Sequence, residues 1–367
     1  MESPRPITTT ASPSSGFSEN LRLAEIPSLS GLRAFASVTV VLCHAVSPIF
    51  PARHAVTLFF ALSGFLITTL LCREMAATGA IDIRAFYFRR ARRLLPAYYV
   101  WLVAVMLFMT GRITPEIGAA ALYLSDYFNA WVKEGPISHT WSLSVEEHFY
   151  LLWPIVLLTW SRAKYFVPTI AALIVLVQVA RSAFAAAYPL YFFYSFEAKI
   201  DALLLGCVLG LWASNGGVLP TFLANRLFLL LPVGGFVWLA ALPGNRMLTV
   251  GDTAAAYFSV LLIANVVASP PVILNNRVTD YLGARSYGLY LYHVLVRGVY
   301  MALVPGANGG GFSVHGWTNQ AAVVLLSIGA ASVSYSYVER PFQAWWRPSQ
   351  GAKTGQGFAA SRASQFS

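Results

Sequence analysis

Charged residues are scarce in this sequence, where Asp, Glu, Lys and Arg make up only 11% of 367 residues. Soluble domains usually contain about a quarter of charged residues. Hydrophobic residues reach 57% of the chain. Because a soluble protein needs a charged surface, this shortage argues against that class and predicts that most of the chain lies in a membrane.

Cysteine and acidic residues are also few. The three cysteines, Cys43, Cys72 and Cys207, lie in apolar stretches without metal-ligand spacing, so they predict small buried side chains and no disulfide framework. Fifteen acidic residues against 25 basic ones give a net charge of +10. The basic residues occur in short runs between apolar stretches, which is typical of membrane proteins, and we expect no nucleic-acid partner.

Apolar runs near the 20 residues needed to cross a bilayer recur along the chain. There are ten of them, at 34–51, 55–72, 94–111, 146–161, 165–183, 200–214, 226–243, 252–269, 284–304 and 319–338. We therefore predict an all-α polytopic membrane protein with about ten transmembrane helices. The Ala-rich segment Ile117–Trp131 is interrupted by polar residues, and it could be an eleventh span, a re-entrant piece or an amphipathic helix.

The distribution of Lys and Arg favours ten spans. With both termini in the cytoplasm, ten spans place 18 of the 25 basic residues inside, six outside and Arg297 within a span. An eleventh span would invert every later loop. Residues 1–26 and 348–367 are polar and rich in small residues, which predicts disordered tails. Residues 27–347 then form one membrane-embedded domain.

Two basic residues belong to the first span. An ionisable group within a span costs several kcal/mol, so it is a functional candidate. His44 follows Arg33 by 11 residues, which on a helix gives nearly the same face roughly 16 Å further along. We expect His44 to lie deep in the apolar run and favour a functional role over a hydrogen bond to a neighbouring helix. Arg33 could serve only as a headgroup anchor.

Four arginines and no lysine precede the third span, namely Arg89, Arg90, Arg92 and Arg93. Such a cluster often only anchors topology. Arginine, however, matches phosphate bidentately, and residues three or four apart share a helix face. This pattern predicts a phosphate-rich cytoplasmic ligand.

The stretch His139–Tyr150 is the most polar one beside a span. Ser144 and Glu147 have capping-box spacing, which explains them as structure. Glu146, His139 and His148 have no such structural explanation, so they are candidates for proton transfer. His139 and His148 are nine residues apart without a nearby cysteine, so we expect no metal site.

Later polar residues are interpreted as structural. Lys199 and Asp201 could pair with each other or with helix ends. The same interpretation applies to a tyrosine-rich group and to the end of the tenth span. These residues are Tyr287, Tyr290, Tyr292 and His293, and Glu339, Arg340 and Pro341.

The order of these motifs resembles the acyltransferase-3 family of membrane acyltransferases. The matching blocks are Leu29–Ala34 with His44, Phe59–Ile67, Arg89–Pro96, His139–Tyr150, Asp201–Gly206, Ser286–His293 and Glu339–Phe342. Each block is weakly specific, but seven in order cover nearly the whole predicted domain. The chain leaves no room for the SGNH-type esterase domain fused to some members, so we expect the stand-alone form.

The resemblance implies an enzyme that moves an acyl group, usually acetyl, from acyl-CoA to a hydroxyl of a surface glycan, a lipo-oligosaccharide or a small glycosylated molecule. It implies a bacterial plasma membrane, with lipids around the helices. The implied site residues fall into three groups. They are catalytic His44 and Glu146; donor-binding Arg33, Arg89, Arg90 and Arg93; and acceptor-binding His139, Trp141, Ser142 and His148.

Two questions stay open at this stage. His44 can be a general base toward the acceptor hydroxyl or a nucleophile that is transiently acylated. A transporter of an anionic or acylated solute is the alternative function, with the arginines as its binding gate. The enzyme hypothesis requires Arg90, Arg93 and His44 to face one continuous cavity.

Overall fold

The computed structural model describes residues 28–47, 50–132, 134–218, 220–242, 246–304 and 314–344, and these ranges contain helices and no strand. The helices are α1 Leu29–Ala45, α2 Ala52–Thr78, α3 Ile83–Val105, α4 Pro115–Ala121, α5 Ser125–Trp131, α6 Trp141–Trp160, α7 Phe166–Phe184, α8 Pro189–Tyr194, α9 Phe196–Ser214, α10 Leu230–Ala240, α11 Asp252–Ala268, α12 Arg277–Ala284, α13 Ser286–Leu303, α14 Val314–Ser334 and α15 Arg340–Ala344. Both predicted tails lie outside the described residues.

Each of the ten predicted apolar runs overlaps one of these helices. Five helices, counted with the π-turns that extend them, are long and apolar enough to cross a membrane by length and composition. They are Ala52–Thr78, Ile83–Thr110, Phe166–Phe184, Met247–Ala268 and Gly316–Ala344. The all-helical membrane class is thus supported, whereas the count of ten spans and the cytoplasmic termini stay predictions.

The ambiguous segment Ile117–Trp131 is divided between the two short helices α4 and α5, each of seven residues. Tyr123, between them, has a left-handed backbone with φ 55°. The hydroxyls of Tyr98 and Tyr99 on α3 donate to the Ala120 and Ala121 carbonyls at 2.8 and 3.0 Å, which satisfies the end of α4. Neither helix has the roughly 20 residues that a span requires, so this segment is not an eleventh span.

Helix α6 begins at Trp141, three residues before the predicted cap. Its N-cap residue Thr140 makes no side-chain cap bond. Ser144 lies within the helix, where its Oγ accepts a hydrogen bond from the Ser125 backbone at 3.2 Å. The predicted capping box at Ser144 is therefore wrong, because the short 3-10 helix Ser138–Thr140 already starts the helical path.

Helices α2 and α9 pack with their backbones in direct contact. A Cβ on Gly64 would overlap the Leu203 carbonyl oxygen, and a Cβ on Gly206 would overlap the Ala61 carbonyl oxygen. Small residues allow this approach in membranes, where dispersion between close backbones drives helix association. The two glycines thus hold α2, and its side chains in the site, at a fixed distance from α9.

Replacing Gly206 with alanine is expected to lower the free energy of unfolding by about 1–3 kcal/mol or more, because neither backbone can yield without separating the helices. Gly329→Ala is the matched control, since nothing lies within 4 Å of a Cβ built at that exposed helical glycine. The control is expected to be neutral or slightly stabilising. Thermal unfolding in detergent measures both, and equal midpoints would contradict the close-packing assignment.

A buried ion network joins four helices at the beginning of α2. Asp252 accepts hydrogen bonds from Arg53 Nε and Nη2 at 2.5 and 2.6 Å and from Lys199 Nζ at 2.5 Å. Arg181 pairs with Asp201 and lies 3.8 Å from Asp252. Lys199 therefore pairs with Asp252 of α11 and not with Asp201. The spacing of Lys199 and Asp201 did not show this, because the partner lies 53 residues further on.

The site lies among α1, α2, α3, α6 and α13. Helix α1 packs against α2, α12 and α13, and α3 contacts α6 and α13. Arg33 meets Ser286 near the beginning of α1 and α13, and His44 meets His293 further along both. These two helices therefore run parallel beside the site.

Candidate active site

A partly open cavity lies between α1, α2, α6 and α13. Its apolar wall includes Phe59, Phe60 and Leu143. Its polar lining consists of Arg33, Ser63, Ser142, Glu146, Ser286, Tyr287 and Tyr290. A basic group, a carboxylate and several hydroxyls thus face one space from four helices.

Three of the predicted arginines come together beside this cavity. Arg33 Nε donates to Ser286 Oγ at 3.3 Å. The Arg90 guanidinium lies 3.7 Å above the centre of the Tyr150 ring, and its Nε has no hydrogen-bond partner among the described residues. Arg93 is an electrostatic neighbour of both Arg33 and Arg90. Three clustered guanidiniums, with donors left over, suit a ligand that carries several anionic oxygens.

Carboxylates partly balance the three arginines. Glu146 accepts a hydrogen bond from Ser63 Oγ at 2.9 Å and from Tyr150 OH at 3.0 Å. Arg33 lies within electrostatic range of both Glu146 and Glu339. Glu146 therefore faces the arginine cluster. It lies one helix turn before Tyr150, on whose ring Arg90 stacks.

Glu339 was interpreted from sequence as part of a helix end, but it is buried beside the arginine cluster and accepts a hydrogen bond from Ser334 at 3.3 Å. A Cβ on Gly288 would lie 3.1 Å from Glu339 Oε1. The Ser286–His293 and Glu339–Phe342 blocks are the sequence signal that could have placed Glu339 here.

Arg89 does not join the other arginines. Its Nη2 lies 3.2 Å from Glu74 Oε2, and 52% of its side chain is exposed. Glu74 lies four residues before the end of α2, and Arg89 belongs to the second turn of α3, so this pair links the two helices across their connection. Among the four predicted donor-binding residues, Arg89 is therefore the one directed away from the cavity.

His44 lies in the last turn of α1, and its side chain is exposed. The expectation of a deeply buried residue is thus wrong, because α1 ends at Ala45 although the apolar run continues. His44 Nδ1 lies 2.9 Å from the Val40 carbonyl oxygen and 3.3 Å from His293 Nε2. Its charged neighbour is Arg297, one helix turn beyond His293.

A third imidazole completes a histidine cluster made of His44, His139 and His293. The rings of His44 and His293 have centroids 4.9 Å apart, and those of His139 and His293 are 5.3 Å apart. His139 and His293 are buried. Within the described ranges, no group of three or more His, Cys, Asp or Glu is arranged to hold a metal ion.

Hydroxyl groups connect this histidine cluster with the cavity. Tyr290 OH donates to the His139 carbonyl oxygen at 2.8 Å and lies 2.6 Å from Ser142 Oγ. Tyr290 and Ser142 both line the cavity. Among the described residues, His44, Arg90 and Arg93 do not line this cavity, so the expectation that all three face one continuous cavity is not met. Their neighbours Tyr290 and Arg33 do line it.

His293 is the residue that the sequence interpretation missed. From sequence, it was grouped with the later polar residues that were interpreted as structural. Its block, Ser286–His293, was part of the family resemblance and provided the available signal. The contact partner His44 lies 249 residues away in the chain, so no local pattern joins the two.

Two predicted acceptor-binding residues lie elsewhere. His148 Nδ1 is 3.3 Å from Asp126 Oδ2, and its ring stacks on Tyr127. Trp141 packs edge-on against Phe60 and Phe193 at 5.8 and 5.7 Å. His139 and Ser142 therefore stay with the site, while His148 and Trp141 stabilise its surroundings.

A family model described as an acyltransferase domain matches residues 26–339. The chain belongs to the acyltransferase-3 family. This match covers the arginine cluster, the cavity and all three histidines, so the resemblance drawn from seven motifs is confirmed.

Curated relatives of this acyltransferase-3 chain are bacterial. The chain is 30% identical to the O-acetyltransferase OatA of Staphylococcus aureus over 359 residues, which cover 87% of the chain and 57% of OatA. A putative peptidoglycan O-acetyltransferase of Bacillus subtilis, YrhL, is 29% identical over 87% of the chain and 55% of its own length. The chain thus spans less than two thirds of these relatives. No solved structure gives a significant match.

Proposed function

We propose that this chain transfers an acyl group, acetyl in the first instance, from acyl-CoA to a hydroxyl of a cell-surface carbohydrate in a bacterial plasma membrane. The observation that carries the proposal is the pairing of two groups around one cavity. Arg33, Arg90 and Arg93 gather at its basic side, and Tyr290 links its lining to the histidine cluster.

The basic side suits the donor. Acyl-CoA carries several phosphate groups, and guanidinium groups bind phosphate with two parallel hydrogen bonds. Arg33 is on α1, whereas Arg90 and Arg93 are on α3, so a bound phosphate would bridge two helices. The thioester arm would then pass Ser63 and Glu146 toward Tyr290.

The histidine cluster suits acyl transfer to oxygen. If His44 is a general base, its Nε2 takes the hydroxyl proton while that oxygen attacks the thioester carbonyl. The C–S bond breaks, and the imidazolium returns the proton to the departing CoA thiolate. If His44 is a nucleophile, its Nε2 bonds to the acyl carbon as the C–S bond breaks and CoA leaves as the thiolate. The acceptor hydroxyl then attacks the acyl-imidazole, the C–N bond breaks to release the imidazole, and the hydroxyl proton goes to the CoA thiolate.

The acceptor class follows from the relatives. OatA is named an O-acetyltransferase, and YrhL is named a putative peptidoglycan O-acetyltransferase. A carbohydrate hydroxyl is therefore the acceptor proposed for this chain. His139 and Ser142, on the acceptor side of the cavity in this scheme, are the groups proposed to contact it.

The test measures acetyl-CoA binding and free thiol release with the protein purified in detergent. Arg90→Ala and Arg93→Ala are each expected to weaken donor binding roughly 10- to 100-fold, because a hydrogen bond to a charged group contributes about 1.5–3 kcal/mol. Arg89→Ala is expected to stay near wild type, since Arg89 pairs with Glu74 at the surface.

Arg84→Ala is the matched control, an exposed arginine at the beginning of the same helix. Equal donor affinity in wild type, Arg90→Ala and Arg93→Ala would contradict the donor assignment. A wild-type protein that neither binds nor cleaves acetyl-CoA would contradict the proposed function. Solute flux in liposomes would then test the transporter alternative.

A further inference from the structure

One nitrogen of His44 has two acceptors within reach. Nδ1 lies 2.9 Å from the Val40 carbonyl oxygen and 3.3 Å from His293 Nε2. A carbonyl oxygen can only accept a hydrogen bond, so the contact with Val40 requires a proton on Nδ1. In a neutral imidazole, the other nitrogen, Nε2, then carries the lone pair.

The protonation of His293 is defined by the same reasoning. Its Nδ1 lies 2.5 Å from the Tyr290 carbonyl oxygen, so Nδ1 carries the proton. Nε2 of His293 is left as an acceptor and faces His44 Nδ1. His293 is 1% exposed, so water does not compete for this lone pair. The two contacts therefore agree on one direction, from His44 Nδ1–H toward His293.

We propose that His293 is a positioning residue that holds His44 as the Nδ1–H tautomer and thereby makes Nε2 of His44 the reacting nitrogen. The proposal rests on the proposed acyl transfer and names the atom that performs it. Tautomer control of a catalytic histidine is usually the task of a carboxylate, and a misassigned tautomer there costs about 10⁴-fold in rate. Here a neutral imidazole on a different helix has this task.

The assignment has a consequence for both chemical routes. As a base, His44 gains a proton on Nε2, and the resulting imidazolium keeps its Nδ1–H directed at Val40 and His293. As a nucleophile, Nε2 forms the C–N bond while Nδ1–H remains in the same contact. His293 Nε2 can therefore stabilise the positive charge in either route without touching substrate.

Other groups around His293 do not replace this contact. His139 approaches with its ring at 73° and 5.3 Å, which is an edge contact and not a hydrogen bond. Arg297 is the charged group near His44, and a guanidinium cannot accept a proton. Among the described neighbours, His293 alone offers His44 a side-chain lone pair.

The test combines kinetics with ¹⁵N-histidine NMR of the protein in bilayers. In His293→Leu, we expect kcat to fall about 10²–10⁴-fold, the range of positioned acid–base groups, with KM for acetyl-CoA unchanged. His293→Gln keeps an acceptor oxygen and should recover part of the loss. NMR should show His44 with Nδ1 protonated in the wild type. In His293→Leu, the fraction protonated on Nε2 should rise, because the Val40 carbonyl alone then holds the Nδ1 proton.

His54→Leu is the matched control, because His54 is 1% exposed, lies beside Phe236 and is remote from His44 in the described contacts. It should leave kcat and the His44 spectrum unchanged. Wild-type kcat in His293→Leu, or a wild-type His44 protonated on Nε2, would overturn the proposal. NMR reads the tautomer without turnover, so an inactive wild type with the expected spectrum would overturn the proposed function and leave the positioning role standing.

Discussion

Replacing His44 with alanine is expected to reduce acyl transfer by about 10²–10⁴-fold if the imidazole acts as a base, and further if it is the nucleophile. His44 is the exposed member of the histidine cluster, so its Nε2 is the nitrogen that a substrate can reach. Acetyl-CoA binding should persist, because the donor phosphates are assigned to Arg33, Arg90 and Arg93 and not to His44.

The measurement is the rate of acetyl transfer with donor affinity determined in parallel. His148→Ala serves as the comparison, since His148 is directed at Asp126 and does not contact His44. A His44→Ala protein that transfers acetyl at the wild-type rate would refute the mechanism. If labelled acetyl becomes attached to the protein in the absence of acceptor, and this labelling is lost in His44→Ala, then His44 acts as a nucleophile and not as a general base.

Replacing Asp252 with asparagine is expected to lower the free energy of unfolding by about 3–5 kcal/mol, the usual effect of removing one partner from a buried ion pair. Asp252 neutralises Arg53 and Lys199 directly and lies near Arg181. Without its charge, buried Lys199 and Arg181 and half-buried Arg53 would have only the carboxylate of Asp201 nearby.

Asp280→Asn is the matched control, an exposed aspartate in the first turn of α12. Its expected change is within about 0.5 kcal/mol, as for ordinary surface positions. Denaturant unfolding in detergent gives both values. A loss at Asp252 no larger than that at Asp280 would mean that the ion network contributes nothing to stability.

The helices followed from composition because apolar length is a local property. Each predicted run overlaps a helix, and Arg33 of the first span does line the cavity. The helix ends were less accessible to sequence reasoning. His44 lies one residue before the end of α1 although apolar residues continue beyond it, and the break at Tyr123 depends on hydroxyls donated by another helix.

Partners distant in the chain limited the prediction of the site. Arg89 and Arg90 look equivalent in sequence, and they differ because Glu74 binds only Arg89. Likewise, His148 is directed away from the site because it contacts Asp126. His293 was missed because its partner His44 is 249 residues away. In each case a contact between helices decided the role, and no periodicity within one helix records it.

The two contacts between α1 and α13 also join the proposed donor-binding residue to the proposed catalytic residue. Arg33 meets Ser286 and His44 meets His293, so one pair of parallel helices carries a contact at each end. One helix turn is 5.4 Å long, whereas a hydrogen bond tolerates a few tenths of an ångström. A slide of α1 along α13 would therefore break both the Arg33–Ser286 and the His44–His293 contacts. Under the proposed function, a donor phosphate that shifted α1 through Arg33 would therefore also move His44 relative to His293.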